Sequence, residues 1–101
     1  MLVFVAHKND GNSEDLEKAK QITKQLQAKD LENCYICPTI AFQHLADSLL
    51  GQDDKMALAL DILTICDILL VASDIDASVN EEIEFANLVG MEVKWLEEQQ
   101  P

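Results

Sequence analysis

The amino-acid sequence predicts an α/β domain, a small parallel sheet with helices on both faces. Three observations carry that prediction. Leu2–Ala6 and Cys66–Ala72 contain short unbroken apolar runs, the mark of strands buried on both faces. Stretches with helical apolar spacing separate the strand candidates, so strands and helices alternate along the chain. With 101 residues, 49% of them apolar, the chain can build one core, and residues 1–101 are expected to form one domain.

Leu2 to Ala6 reads as a central strand. His7 to Ser13 follows as a loop, with Asn12 or Ser13 as the N-cap of the next helix. That helix runs to about Lys29 and aligns Leu16, Ala19, Ile22 and Leu26 on one stripe. Asn33 to Cys37 forms a second short strand, stopped by Pro38. Thr39 to Leu50 reads as a loop with a short helix, because Phe42, Leu45 and Leu49 recur at helical spacing before Gly51. Another helix starts at Asp53 or Asp54 and reaches about Ile65. It carries two apolar stripes: Met56, Leu60 and Leu63, then Leu58, Ile62 and Ile65. The sheet can bury one stripe. The other needs the Phe42–Leu50 segment or a partner subunit, and a homodimer is the simplest expectation.

The third strand centres on Ile68–Val71. A polar loop with Asp74 and Asp76 leads into a helix that ends at Gly90, a favoured C-cap. Ser78 and Glu81 fit a capping box, which makes Ser78 the predicted N-cap. Met91, Val93 and Trp95 alternate with Glu92 and Lys94, so the last strand has one wet face and suits a sheet edge. Leu96 to Pro101 is a polar tail, expected to fray. Right-handed crossovers favour the strand order 2-1-3-4. Ligands of open α/β sheets bind at the carboxyl ends of the strands where the order reverses, here between the first and third. His7 to Asn12 would line one side of that crevice and Ser73 to Glu82 the other, with Pro38 to His44 nearby.

The net charge of −12, with seven lysines and no arginine, argues against binding nucleic-acid polymers or anionic membranes. No apolar run approaches a membrane span, and Met1 leads into Leu2–Ala6 without a basic region, so a cytoplasmic location is expected. Cys34 and Cys37 point to opposite faces of a strand. With Cys66 they read as buried free thiols.

The chemistry at the crevice would come from His7, Lys8, Asp74, Asp76, Glu82 and His44. Glu82 is the most informative. It projects onto the apolar face of Val79, Ile83, Ala86 and Val89, whereas Glu81 and Glu84 fall outside. A carboxylate aimed at a core is costly unless it is paired, hydrogen-bonded or used. A slightly turned helix would instead let it reach water at the rim. Asp74 and Asp76 are equally readable as turn residues, and Asp76 could bond the helix start. Several acids in one cleft push their pKa values apart, an arrangement suited to glycosidic bond cleavage. No dinucleotide or Walker glycine pattern occurs, the loop after the first strand is too acidic for a flavin phosphate, and the two histidines lack metal-ligand spacing. No cofactor and no metal are expected.

Five blocks carry a resemblance: Val3-Phe4-Val5-Ala6-His7, Glu17-Lys18-Ala19, Pro38 with Phe42, Cys66-Asp67-Ile68-Leu69-Leu70-Val71, and Glu82-Ile83-Glu84-Phe85-Ala86. In that order and spacing the chain resembles the nucleoside 2-deoxyribosyltransferase-like superfamily, and within it the short members, many carried by phages and prophages. The resemblance implies a flavodoxin-like fold, a nucleoside or nucleotide as small-molecule partner, and oligomers with sites near subunit interfaces. It implies that Glu82 attacks C1′ of the sugar while Asp76, six positions earlier, assists at the base. Asp67 matches an aspartate associated with sugar binding. Phe4 stands where transferases often have Tyr, His7-Lys8 where many relatives have Gly-Pro or Ser-Pro, and Ser78-Val79 where Gly-Met is common. Phe4, His7, Lys8, Asp67, Asp74 and Ser78 are therefore the substrate-binding candidates. Three readings follow: an enzyme cleaving an N-glycosidic bond, a nucleoside- or nucleotide-binding domain without catalysis, and an oligomeric interaction protein.

Overall fold

The computed structural model describes residues 1–8, 13–41 and 52–96. In chain order its elements are β1 (Leu2–Ala6), α1 (Ser13–Lys29), β2 (Cys34–Ile36), α2 (Pro38–Ala41), α3 (Gln52–Thr64), β3 (Ile68–Val71), α4 (Ala77–Val89) and β4 (Glu92–Trp95). The strands form one parallel sheet in the order β2-β1-β3-β4. Its two central strands pair from Val3 with Ile68 to Ala6 with Val71.

Strand alternation sorts the core into two layers. Phe4, Ala6, Leu69 and Val71 face α3 and α4, where they meet Ala59, Leu63, Val79 and Ala86. Val5 and Ala72 face the other way and pack with Ala19 of α1, with Ile22, Leu26 and Ile40 around them. Fully buried leucines such as Leu63 and Leu69 each contribute about 1.5–3 kcal/mol by leaving water. Among the described residues no helix is long and apolar enough to cross a membrane.

The turn from α1 into β2 is held by one carboxylate. Asp30 accepts from Asn33 Nδ2 (2.6 Å), Tyr35 Oη (2.8 Å) and the Glu32 amide (3.0 Å). Bonds from Asn33 and then Tyr35 hold its pKa below the ordinary carboxylate value. Gln27 closes the edge of the sheet beside it. Its Oε1 accepts from the Tyr35 amide (3.0 Å), and its Nε2 donates to the Asp30 and Asn33 carbonyls (2.9 and 2.7 Å).

Several local expectations are corrected. The N-cap of α4 is Asp76, not Ser78: Asp76 is extended and its Oδ1 accepts from the Val79 amide at 2.8 Å. Ser78 is already the second helical residue. An aspartate two residues earlier outcompetes the serine because its charge also suits the positive helix end. At the other end Gly90 adopts φ 78°, and the Met91 amide reaches back to the Ala86 carbonyl (2.8 Å), a Schellman closure. Val89, expected on the buried face, is 55% exposed because it lies in the last turn before that closure. Pro38 does more than stop β2; it opens α2, where its missing N–H costs nothing. Cys37 and Cys66 are buried, but Cys34 is exposed on the edge strand. Asn12, Phe42, His44, Leu45 and Leu49, and the tail beyond Leu96, lie outside the described residues.

Candidate functional site

Four residues with polar or charged side chains are buried among the described residues: His7, Asp15, Ser73 and Glu82. All four stand at the carboxyl edge of the sheet. His7 directly follows β1, and Ser73 comes two residues after β3. Asp15 and Glu82 occupy the first two turns of α1 and α4, the helices that leave this edge. Burying polar groups is costly unless they are bonded, so their concentration at one end of the fold makes that end the candidate site.

A short relay joins the two central strands there. The Lys8 amide donates to Ser73 Oγ (2.7 Å), and Ser73 Oγ donates to the Asp74 carbonyl (2.9 Å). His7 Nδ1 lies 2.8 Å from the Lys8 carbonyl. A carbonyl only accepts, so Nδ1 carries the proton and the ring's remaining nitrogen is Nε2. This bonding fixes the backbone of both loops at the topological switch point.

Glu82 differs from its neighbours. Only 6% of it is exposed, and among the described residues no donor or cation reaches its carboxyl group. Burial, then the negative charge of Asp76, then that of Glu81, push its pKa up to about 8. Asp76 is half-buried at the mouth of the same helix and spends Oδ1 on the cap. Asp74 is exposed, Ser78 and Lys8 are half-buried, and all three belong to the loops flanking this edge.

Two expected binding residues do not join the site. Phe4 is fully buried in the layer under α3 and α4, so its ring is core. Asp67 lies at the amino end of β3, the opposite end of the sheet, where its Oδ2 accepts from the Leu2 amide (2.8 Å). His44 falls outside the described residues. Ser73 and Asp15 were not singled out from the sequence. Asp15 carries the signal that exposed Glu82: with Ala19, Ile22 and Leu26 it recurs at i, i+4, i+7 and i+11 on one helical stripe.

Among the described residues no three His, Cys, Asp or Glu side chains converge as a metal would require. Two open depressions, of about 470 and 490 Å³, lie around the α1–β2 turn and away from Glu82. The carboxyl edge stands out by its buried polar side chains.

No family model matches the chain, and no curated protein does. Among solved structures it is similar to a 2-deoxyribosyltransferase from Leishmania mexicana, with a TM-score of 0.71 and 15% identity. The match covers 94% of this chain and 63% of that one, so the chain spans less than two thirds of the neighbour's length. The chain thus has a nucleoside 2-deoxyribosyltransferase-like fold, as the five sequence blocks implied.

Proposed function

We propose that the protein cleaves the N-glycosidic bond of a nucleoside or nucleotide, with Glu82 as the nucleophile. The observation that carries this reading is a buried carboxyl group without a donor at the ligand-binding edge of a deoxyribosyltransferase-like fold. The neighbour's name supplies the substrate class.

In the first half-reaction a Glu82 carboxylate oxygen bonds to C1′ and the C1′–N bond breaks. The electron pair leaves on the base nitrogen, which is protonated by solvent or by Asp76. In the second half-reaction water or another base attacks C1′ and restores the carboxylate. A carboxylate nucleophile replaces one difficult displacement with two easier ones. Lys8 is the flanking cation that a 5′-phosphate would meet.

The raised pKa also supports a second reading. At neutral pH most of Glu82 is protonated, so it can donate a hydrogen bond to a bound nucleoside without attacking it. The two readings separate on pH: a nucleophile gains activity as pH rises towards about 8, whereas a binding donor loses affinity. The functional unit we propose is a homodimer covering Leu58 of α3 and Ile65 just past its end, which are 38% and 64% exposed.

The test is a panel of nucleosides and their 5′-phosphates, read for released base with Glu82→Gln alongside. Base release by the wild type that the variant loses supports the enzyme. Equal release by both places the chemistry elsewhere. Saturable binding without release, lost on raising the pH, supports the second reading.

A further inference from the structure

The ladder between the two central strands ends where the Ala72 amide donates to the Ala6 carbonyl (2.9 Å). Beyond that rung the chains part: one leads to α1 on one face of the sheet, the other to α4 on the opposite face. A single side chain carries the connection further. Ser73 Oγ accepts from the Lys8 amide (2.7 Å), 65 positions away in sequence, and donates to the Asp74 carbonyl (2.9 Å). His7 Nδ1 donates to the Lys8 carbonyl (2.8 Å). Lys8 is thus gripped at its amide by Ser73 and at its carbonyl by His7. Both gripping residues are buried, 6% and 7% exposed.

We infer that Ser73 is a positioning residue of the site: by fixing Lys8 it holds the His7 ring in one tautomer, with Nε2 offered to the ligand as a hydrogen-bond acceptor. The ligand, a nucleoside or nucleotide, rests on the glycosidic-cleavage reading; the state of the ring does not. The relay admits one arrangement of protons. The Lys8 amide only donates and the Asp74 carbonyl only accepts, so the Ser73 hydroxyl must do both, which among small side chains serine and threonine can do. The Lys8 carbonyl also only accepts, so the proton of the neutral ring sits on Nδ1 and Nε2 keeps its lone pair. Nε2 then takes a hydrogen bond from a ligand hydroxyl or N–H. Joining the strands does not require this relay, because β1 and β3 already pair at four positions. What the added bond fixes is the gap between the two loops, which is the width of the crevice at the switch point.

Nitrogen-15 NMR of the His7 ring, at a pH where the ring is neutral, reads the tautomer directly. The wild type should carry the proton on Nδ1. Ser73→Ala should lose that preference and show mixed tautomers, and its Lys8 amide should exchange about tenfold faster or more. Ser73→Thr keeps the hydroxyl and should restore both. In the panel of nucleosides and 5′-phosphates, Ser73→Ala should raise KM about tenfold or more while the protein stays cooperatively folded and the pH at which the rate levels off does not move. Three results would overturn the inference. One is a wild-type ring protonated on Nε2, or a tautomer and Lys8 exchange unchanged in Ser73→Ala. Another is base release by Ser73→Ala with wild-type kinetics. The third is a loss in kcat alone with a shifted pH profile, which would place the effect at Glu82. A wild type that neither releases base nor binds any member of the panel defeats the glycosidic reading, and the ring spectrum then decides by itself whether Ser73 positions His7.

Discussion

Each end of the sheet carries an acid, and the two acids live in opposite conditions. At the amino end Asp67 is exposed and bonded to the Leu2 amide, while the Asp67 amide returns a bond to the Leu2 carbonyl (2.9 Å). That acid joins β1 to the start of β3. At the carboxyl end Glu82 is buried and has no donor among the described residues. A satisfied carboxylate is accounted for by the fold that it stabilises. An unsatisfied, desolvated one costs stability and calls for another reason to exist.

Removing the charge at each end should therefore have opposite effects. The largest belongs to Glu82→Gln: base release falls by orders of magnitude while the folded state gains stability. The folded-state pKa of about 8 stands above the ordinary 4.5, so the folded protein holds a proton that the unfolded chain gives up between those values. Stability is whole below pH 4.5 and declines as pH rises through about 8. Relative to the wild type, Glu82→Gln should gain on the order of 3 kcal/mol at pH 7 and almost nothing at pH 4. Urea unfolding of both proteins at the two pH values measures this.

The next effect is on the pH profile. If Glu82 attacks as the carboxylate, kcat/KM rises with pH and levels off above about 8. Asp76→Asn keeps a good cap but removes one of the two charges that add to burial in raising the Glu82 pKa, so the rise should move to lower pH. Asp76→Ala also loses the bond to the Val79 amide and should cost about 1 kcal/mol in thermal or urea unfolding. The smallest effect is at the amino end. Asp67→Ala should cost about 0.5–1 kcal/mol, the net worth of one hydrogen bond, and leave base release unchanged.

The layers of the fold were legible because their residues obey strict periods. The unbroken apolar strands, the strand order and the edge character of β4 all follow from burial on two faces or one. The Glu82 orientation was legible for the same reason, since one acid interrupts an apolar stripe. Asp15 borders the α1 stripe in the same way, but Leu16 beside it completes an all-apolar stripe with Ala19, Ile22 and Leu26, which hides the acid from the pattern. Asp67 and Phe4 were misplaced on different grounds. Both were assigned by correspondence to longer relatives, which reports sequence position and not the end of the sheet or the depth at which a side chain lies. Ser78 failed as a cap because two residues competed for one helix end, and spacing cannot weigh a carboxylate against a hydroxyl. The Gln27 and Asp30 bonds depend on how an irregular turn folds back, and no period announces them.

Glu82 at the carboxyl edge is a largely buried carboxyl group with no donor among the described residues. The most direct measurement is a carbon-13 NMR titration of the Glu82 side-chain carboxyl, assigned by its loss in Glu82→Gln. The expected midpoint is near 8, moving down in Asp76→Asn. A midpoint at the ordinary value of about 4.5 would mean that Glu82 reaches water at the rim, and would contradict that burial.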